Sequence, residues 1–390
     1  MAKPDHPCIV VPGIKGTGLE NIYELPPATT WSAWDAGVVV PDFDSLSLND
    51  SGQVDEAETV VNRASQLLGI AYESFVQPLR GRSDLPVYLF PYDWRYSIVR
   101  SANNLLNYVL ALQQKNLKSL LPTKWDGAFD FACHSMGGLV FRQFVAAWQS
   151  AKPGTALPIN RVVFIATPHL GSVDAVESMI RGETVLFGGR KELRKLARSF
   201  PAVYELLPNP RLENAVVNQK AEPMDIFNIN NWQSSVTPDP NDPEGFDVEQ
   251  KHLTDARGVL NNLPDVTKPE FGLAGRILVI YGNKQNSTLR TVKVLPEFNE
   301  IKNWYDFDHA ENADGDEVVP VESALLKGIP SLEVRVEDIS VFNLKSHVLS
   351  LHALLPSLDE VSSAASRFFS GVIGPALLPK GTDPSRFHQP

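Results

Sequence analysis

The 390-residue sequence predicts an α/β fold with a mostly parallel central sheet flanked by helices and an inserted cap or lid. Two observations predict it. Short β-branched apolar runs alternate with helical stretches, the pattern of a parallel sheet covered on both faces. Four of those runs stop at small or turn-forming residues, which places their loops at the carboxyl edge, where open α/β sheets assemble their sites.

In chain order, Cys8–Val11 runs into Pro12-Gly13, residues 87–90 into Pro91-Tyr92-Asp93-Trp94-Arg95, 129–133 into His134-Ser135-Met136-Gly137-Gly138, and 162–166 into Thr167-Pro168-His169. Residues 277–281 form a later strand. Residues 332–342 alternate apolar and charged side chains, as an edge strand exposed on one face would. Apolar residues at helical spacing predict a last helix over about 348–369. Two segments break the alternation. Residues 19–84 are a connection rich in Asp, Pro and Trp with a helix expected over 60–79. Residues 171–275 hold helices expected at about 173–180 and 191–198 and the Pro-rich stretch 237–243. Structureless loops of that size are uncommon in compact domains. The expected division is therefore a core of residues 1–170 and 276–390, with an insertion at about 20–84, and a cap of residues 171–275.

Hydrophobic residues at 43% and charged ones at 21% are enough to build a sizeable core rather than a disordered chain. A net charge of -11 with no long basic block repels polyanions, so nucleic acid is excluded as a partner. Cys8 and Cys133 both lie in strand-like runs and read as buried hydrophobes, not a disulfide framework. The polar, proline-bearing start shows no signal-peptide pattern, and no apolar stretch is long enough to span a bilayer. The expectation is a soluble protein, cytoplasmic unless an export signal has been removed.

The sharpest chemical signal is Cys133-His134-Ser135-Met136-Gly137-Gly138 between an apolar strand and an amphipathic helix, the setting of a nucleophile elbow. Cys133 stands where the common Gly-x-Ser-x-Gly pattern has its first glycine. The bland alternative is that Ser135 merely caps the helix. A serine needs a base, and in this fold the order is serine, acid, histidine. His347, after the last strand and before the last helix, is the expected base; His352 lies five residues further on and is expected to pack or snorkel there. The acid is expected in Asp314-Gly315-Asp316-Glu317, with Asp316 first and Asp314 second. That loop lacks the spacing of a calcium site, and no cofactor or metal is called for. Oxyanion donors are expected from the amide of Met136 and from the loop Pro12 to Gly18, at Lys15 or else Ile14.

These stretches together resemble the lecithin:cholesterol acyltransferase and lysosomal phospholipase A2 family of α/β-hydrolases. The likeness is carried by Val10-Val11-Pro12-Gly13, Phe90-Pro91-Tyr92-Asp93-Trp94-Arg95, the elbow, Thr167-Pro168-His169-Leu170-Gly171-Ser172, Ser199-Phe200-Pro201, Gly315-Asp316 and His347. The resemblance implies Ser135, Asp316 and His347 as a triad, with Lys15 and Met136 as amide donors. It implies transfer of a fatty acyl group from a lipid ester to water or an alcohol, and a structural role for Asp93 and Arg95. The chain departs from the family in lacking the entrance disulfide of its extracellular members and in having Glu317 where threonine is common. Arg190, Lys191, Arg194, Lys195 and Arg198 form a basic cluster in the cap, either a transient contact with anionic lipid surfaces or a solvated face. Trp31, Trp34 and Trp232 either line an acyl pocket or pack. Two other readings stand beside this one: a carboxylesterase for soluble or polymeric esters, and a catalytically silent binding module.

Overall fold

The computed structural model describes residues 6–22, 25–31, 46–48, 62–67, 69–82, 85–114, 125–182, 193–238, 246–335, 350–378 and 381–389. Six parallel strands form the centre of the main sheet. In spatial order they are β5 (Val87–Leu89), β1 (Cys8–Val11), β6 (Phe129–His134), β7 (Ile159–Ile165), β9 (Ile277–Phe298) and β11 (Ser331–Arg335). A short antiparallel strand, β12 (Phe387–His388), closes the far edge.

Strand alternation decides the layers, because successive side chains point to opposite faces. Ile9 and Val11, Phe131 and Cys133, and Val162 and Phe164 enter one core, with Leu105 and Phe141 from the helices Ile98–Gln114 and Met136–Ala151. Cys8 and Val10, Ala132, and Val163 and Ile165 enter the other, with Phe75 and Phe368 from the helices Gly69–Gly81 and Asp359–Phe369. Each buried Phe or Ile contributes roughly 1.5–3 kcal/mol of transfer free energy, so two-sided burial holds the sheet as a rigid platform. The parallel sheet and its flanking helices are those expected from the alternation.

Several expected elements differ. Instead of one helix over 60–79, Asn62–Leu67 is a strand, β4, antiparallel to β2 (Thr17–Asn21), and the helix begins at Gly69. Pairing with β2, which also pairs with β3 (Ala28–Trp31), overrides helical spacing there. The strand expected to stop at residue 281 runs on to Phe298, 22 residues in all, leaving the central sheet near Gly282 to pair with β10 (Ile301–Gly315) and, in parallel, with β8 (Val216–Asn218). Val292 and Val294 are buried while Lys293 between them is exposed, a strand pattern that the surrounding polar residues obscure.

The last helix is broken. Leu351–Leu354 is a single turn, Leu355–Ser357 a tighter one, and the long helix starts only at Asp359. Pro356 lacks the N–H that a continuous helix needs and disfavours helical geometry before it. Within the expected edge strand, residues 336–342 lie outside the described residues. In the insertion, Val173–Ile180 and Leu193–Ser199 are helical. Arg190 and Lys191 lie outside the described residues, and Arg198 is buried with Asp247 3.6 Å away, so the expected basic face is narrower than the spacing predicts. Trp34 lies outside the described residues; Trp31 packs edge-on against Trp94, and Trp232 lies tilted over Tyr305. Among the described residues, no helix is long and apolar enough to cross a membrane.

Candidate active site

Ser135 sits between the end of β6 and the helix that starts at Met136, with φ 53° and ψ -130°. That left-handed backbone is costly for a residue with a Cβ and persists where surrounding structure over-determines it. Here its N–H donates to the Ile165 carbonyl at 2.8 Å, at the end of a strand that β1 and β7 pair with on either side. The side chain makes no capping bond to its helix, so Ser135 is not there as a cap. The tight turn tolerates Cys133 because its side chain is fully buried in the core below. Burial pushes the Cys133 thiol well above its ordinary range, leaving it inert.

Two glycines permit the close approach. A Cβ on Gly13 would stand 2.8 Å from Ser135 Cβ, and one on Gly137 would stand 2.5 Å from the carbonyl oxygens of Val11 and Pro12. The first strand therefore ends against the elbow, and the loop after it faces the serine.

The imidazole at Ser135 belongs to His352. Its Nε2 lies 2.7 Å from Ser135 Oγ, and its Nδ1 lies 2.8 Å from Asp316 Oδ2. Since the carboxylate can only accept, Nδ1 carries the proton and Nε2 accepts from the serine. The expected base, His347, lies outside the described residues, and the place predicted for it beside Ser135 is taken by His352. The physical reason is the break at Pro356. As part of a long helix His352 would pack against it; in a one-turn helix it projects over the elbow. Ser350 caps that turn, its Oγ accepting from Ala353 N–H at 3.2 Å.

Asp316 is 1% exposed, and its charge is met by hydrogen bonds rather than water. Its Oδ1 accepts from the amides of Val318 at 3.1 Å and Val319 at 2.7 Å, while its backbone carbonyl accepts the His352 N–H at 3.0 Å. Asp314, the second choice, is exposed and accepts from the Asn286 amide instead. Glu317 ties the acid loop to the histidine turn: its Oε2 accepts from Leu351 N–H at 2.9 Å, and its Oε1 pairs with Lys284. Among the described residues no cluster of side chains could hold a metal ion.

For an oxyanion, the amide of Met136 is one of the first N–H groups of its helix, which intrahelical bonding leaves over. In the loop after β1 the Gly13 amide is already committed, donating to Tyr72 Oη at 2.9 Å. Ile14 and Lys15, the residues expected to supply the second amide, follow it in the same loop. Lys15 holds φ 59°, and its ammonium lies 5.5 Å from the Trp31 ring. Burial pulls its pKa down to about 8, partly opposed by Asp174. Arg95 forks onto Asp93 at 2.6 and 2.9 Å and donates to the Leu46 carbonyl, a structural pair fully removed from solvent on the arginine side.

A three-layer sandwich with a strained serine elbow at the carboxyl edge of its parallel sheet defines an α/β-hydrolase fold. Residues 77–255 match the model of the lecithin:cholesterol acyltransferase family, the family that the sequence motifs resemble. Among solved structures, a chain of "The crystal structure of Tle4-Tli4 complex" is similar over 94% of this chain and 97% of that one, at 14% identity and a TM-score of 0.59. The Bacillus licheniformis lipase BlEst2 in mature form covers 91% and 88% at 12% identity and a TM-score of 0.40. Lipase 1 from Pelosinus fermentans covers 92% and 98% at 13% identity and a TM-score of 0.33. No curated protein matches the sequence at a significant level.

Proposed function

We propose that the protein is a serine hydrolase that cleaves or transfers the fatty acyl groups of lipid esters through an acyl-enzyme. The match to the acyltransferase family supports an ester hydrolase or acyltransferase in general. The observation that carries the finer reading is the hydrogen-bonded line from Ser135 Oγ through His352 to Asp316. His352 takes the serine proton as Oγ attacks the ester carbonyl carbon, and Asp316 steadies the imidazolium that forms. The amides of Met136 and Lys15 stabilise the oxyanion. Collapse breaks the bond to the leaving alcohol, which takes its proton from His352. Water or an acceptor alcohol then gives a proton to the same imidazole, attacks the acyl-serine, and releases the acid or new ester while Ser135 regains its hydroxyl.

A fluorophosphonate probe tests the nucleophile. It should label the wild type and not Ser135→Ala, and that variant should lose at least about 10³-fold in kcat on ester substrates. Products of a mixed lipid extract, with and without added alcohol, read by mass spectrometry, should be free fatty acid and alcohol-dependent esters. Equal labelling of the variant, or no labelling of the native protein, leaves a silent binding module as the better account.

A further inference from the structure

The residue before the nucleophile, His134, belongs to a second chain of hydrogen bonds beneath the triad. Its Nε2 lies 3.0 Å from the backbone carbonyl of His352, and its Nδ1 lies 2.8 Å from Tyr72 Oη. The same Tyr72 oxygen accepts the Gly13 amide at 2.9 Å. All three side chains are buried, and the imidazoles of His134 and His352 lie 5.2 Å apart between centroids.

The direction of every bond is forced. A carbonyl only accepts, so Nε2 of His134 carries the proton. Burial, with the neighbouring His352, drives the His134 pKa down to about 3, so the ring is neutral near pH 7 and Nδ1 is bare. Tyr72 must then donate to Nδ1, which leaves its lone pair for the Gly13 N–H. Burial pushes the Tyr72 phenol up, so it keeps the proton that this bond needs. The hydroxyl is also tightly enclosed by the loop, since a Cβ on Gly16 would lie 2.9 Å from it.

We propose that Tyr72 and His134 are positioning residues that lock the oxyanion loop to the segment carrying the catalytic base, using the elbow as the joint. One end of the chain fixes Gly13, two residues before Lys15. The other end fixes the main chain of His352, whose imidazole must stay in line with Ser135 Oγ. Neither residue touches the reacting atoms; both hold the partners of Ser135 at a fixed separation, where small misplacements cost rate steeply. The proposal rests on the triad reading, and Tyr72 lies outside the stretch that matches the family.

Steady-state kinetics on one ester test it, with Ser135→Ala as the blank. Tyr72→Phe removes only the hydroxyl; His134→Asn keeps an acceptor for Tyr72 but does not reach the His352 carbonyl. Each should lower kcat by about tenfold or more at a KM within about twofold, with the unfolding midpoint little changed. The double variant should lose less than the product of the two single losses, because both bonds serve one constraint. Wild-type kcat in the single variants, multiplicative losses in the double, or changes confined to KM or stability would overturn the proposal. Should Tyr72→Phe fail to fold, His134→Asn decides: a lowered kcat at constant KM supports it, and an unchanged kcat overturns it. If Ser135→Ala keeps full activity, it is the triad reading that has failed.

Discussion

Ser135 holds a backbone conformation that costs on the order of 1–3 kcal/mol, and the energy for it comes from the sheet on either side. What that strain achieves is presentation of one buried hydroxyl to an imidazole at a fixed point above a helix N-terminus. The hydroxyl is useful only if an imidazole meets it, and the residue in contact is His352. His352→Asn should lower kcat by about 10⁴-fold or more, while His347→Asn should leave it within a few fold. Single-turnover rates of the two variants check this. A large loss on His347→Asn with normal activity in His352→Asn would reverse the assignment. Asp316, held by two amides and the imidazole, illustrates the same logic: a buried carboxylate is tolerable when donors meet both of its oxygens.

At the scale of elements, the sheet and its helices are joined through buried polar groups as well as apolar ones. Glu205 accepts from Ser97 Oγ at 2.5 Å and from Ile98 N–H at 2.6 Å, capping the helix Ile98–Gln114 from the segment 171–275. Loss of solvent outweighs these bonds and raises its pKa from 4.5 to about 7. The sign follows from linkage. The folded state holds the proton more tightly than the unfolded one, so this contribution to stability is complete below pH 4.5 and is lost as pH rises towards 7. The unfolding free energy of the wild type relative to Glu205→Gln should therefore fall between pH 5 and 8, by on the order of 3 kcal/mol at most. Denaturant titrations of both proteins at several pH values measure it, and a difference independent of pH would refute the buried-carboxyl account.

For the whole molecule, the acidic net charge works against a broad electrostatic attraction to anionic membranes, and the burial of Arg198 narrows the one basic cluster. Exposed large hydrophobic side chains among the described residues, such as Phe298 and Ile373, are scattered along the chain. If lipid esters are the substrates, rates on long-chain esters should rise by several-fold or more as substrate passes its aggregation point, with little dependence on anionic lipid. Hydrolysis measured across a chain-length series, below and above micelle formation, provides the check. A preference for short soluble esters without any rise would favour a carboxylesterase acting in solution.

Much of this was readable locally. The strands and the elbow announce themselves because β-branched runs, turn residues and small residues act over a few positions. Asp316 lies in a loop whose carboxylates are adjacent in sequence, and Pro12-Gly13 marks the close approach to the serine. The base was not readable in the same way. His347 and His352 are both plausible along the chain, and what separates them is the helix break at Pro356 together with the fit of a one-turn helix over the elbow. That break has a signal in the proline itself, but which side chain it turns towards Ser135 depends on packing against residues more than two hundred positions away. Strand β4 and the long β9–β10 hairpin escaped for a related reason, since their stability comes from cross-strand partners rather than from their own periodicity. Sequence thus determined the fold class and the strand-turn-helix setting of Ser135, where the physics is short-range. Only the tertiary structure decided which histidine lies beside Ser135 and which tyrosine bonds to the loop after β1, because those choices are made by contacts between distant segments.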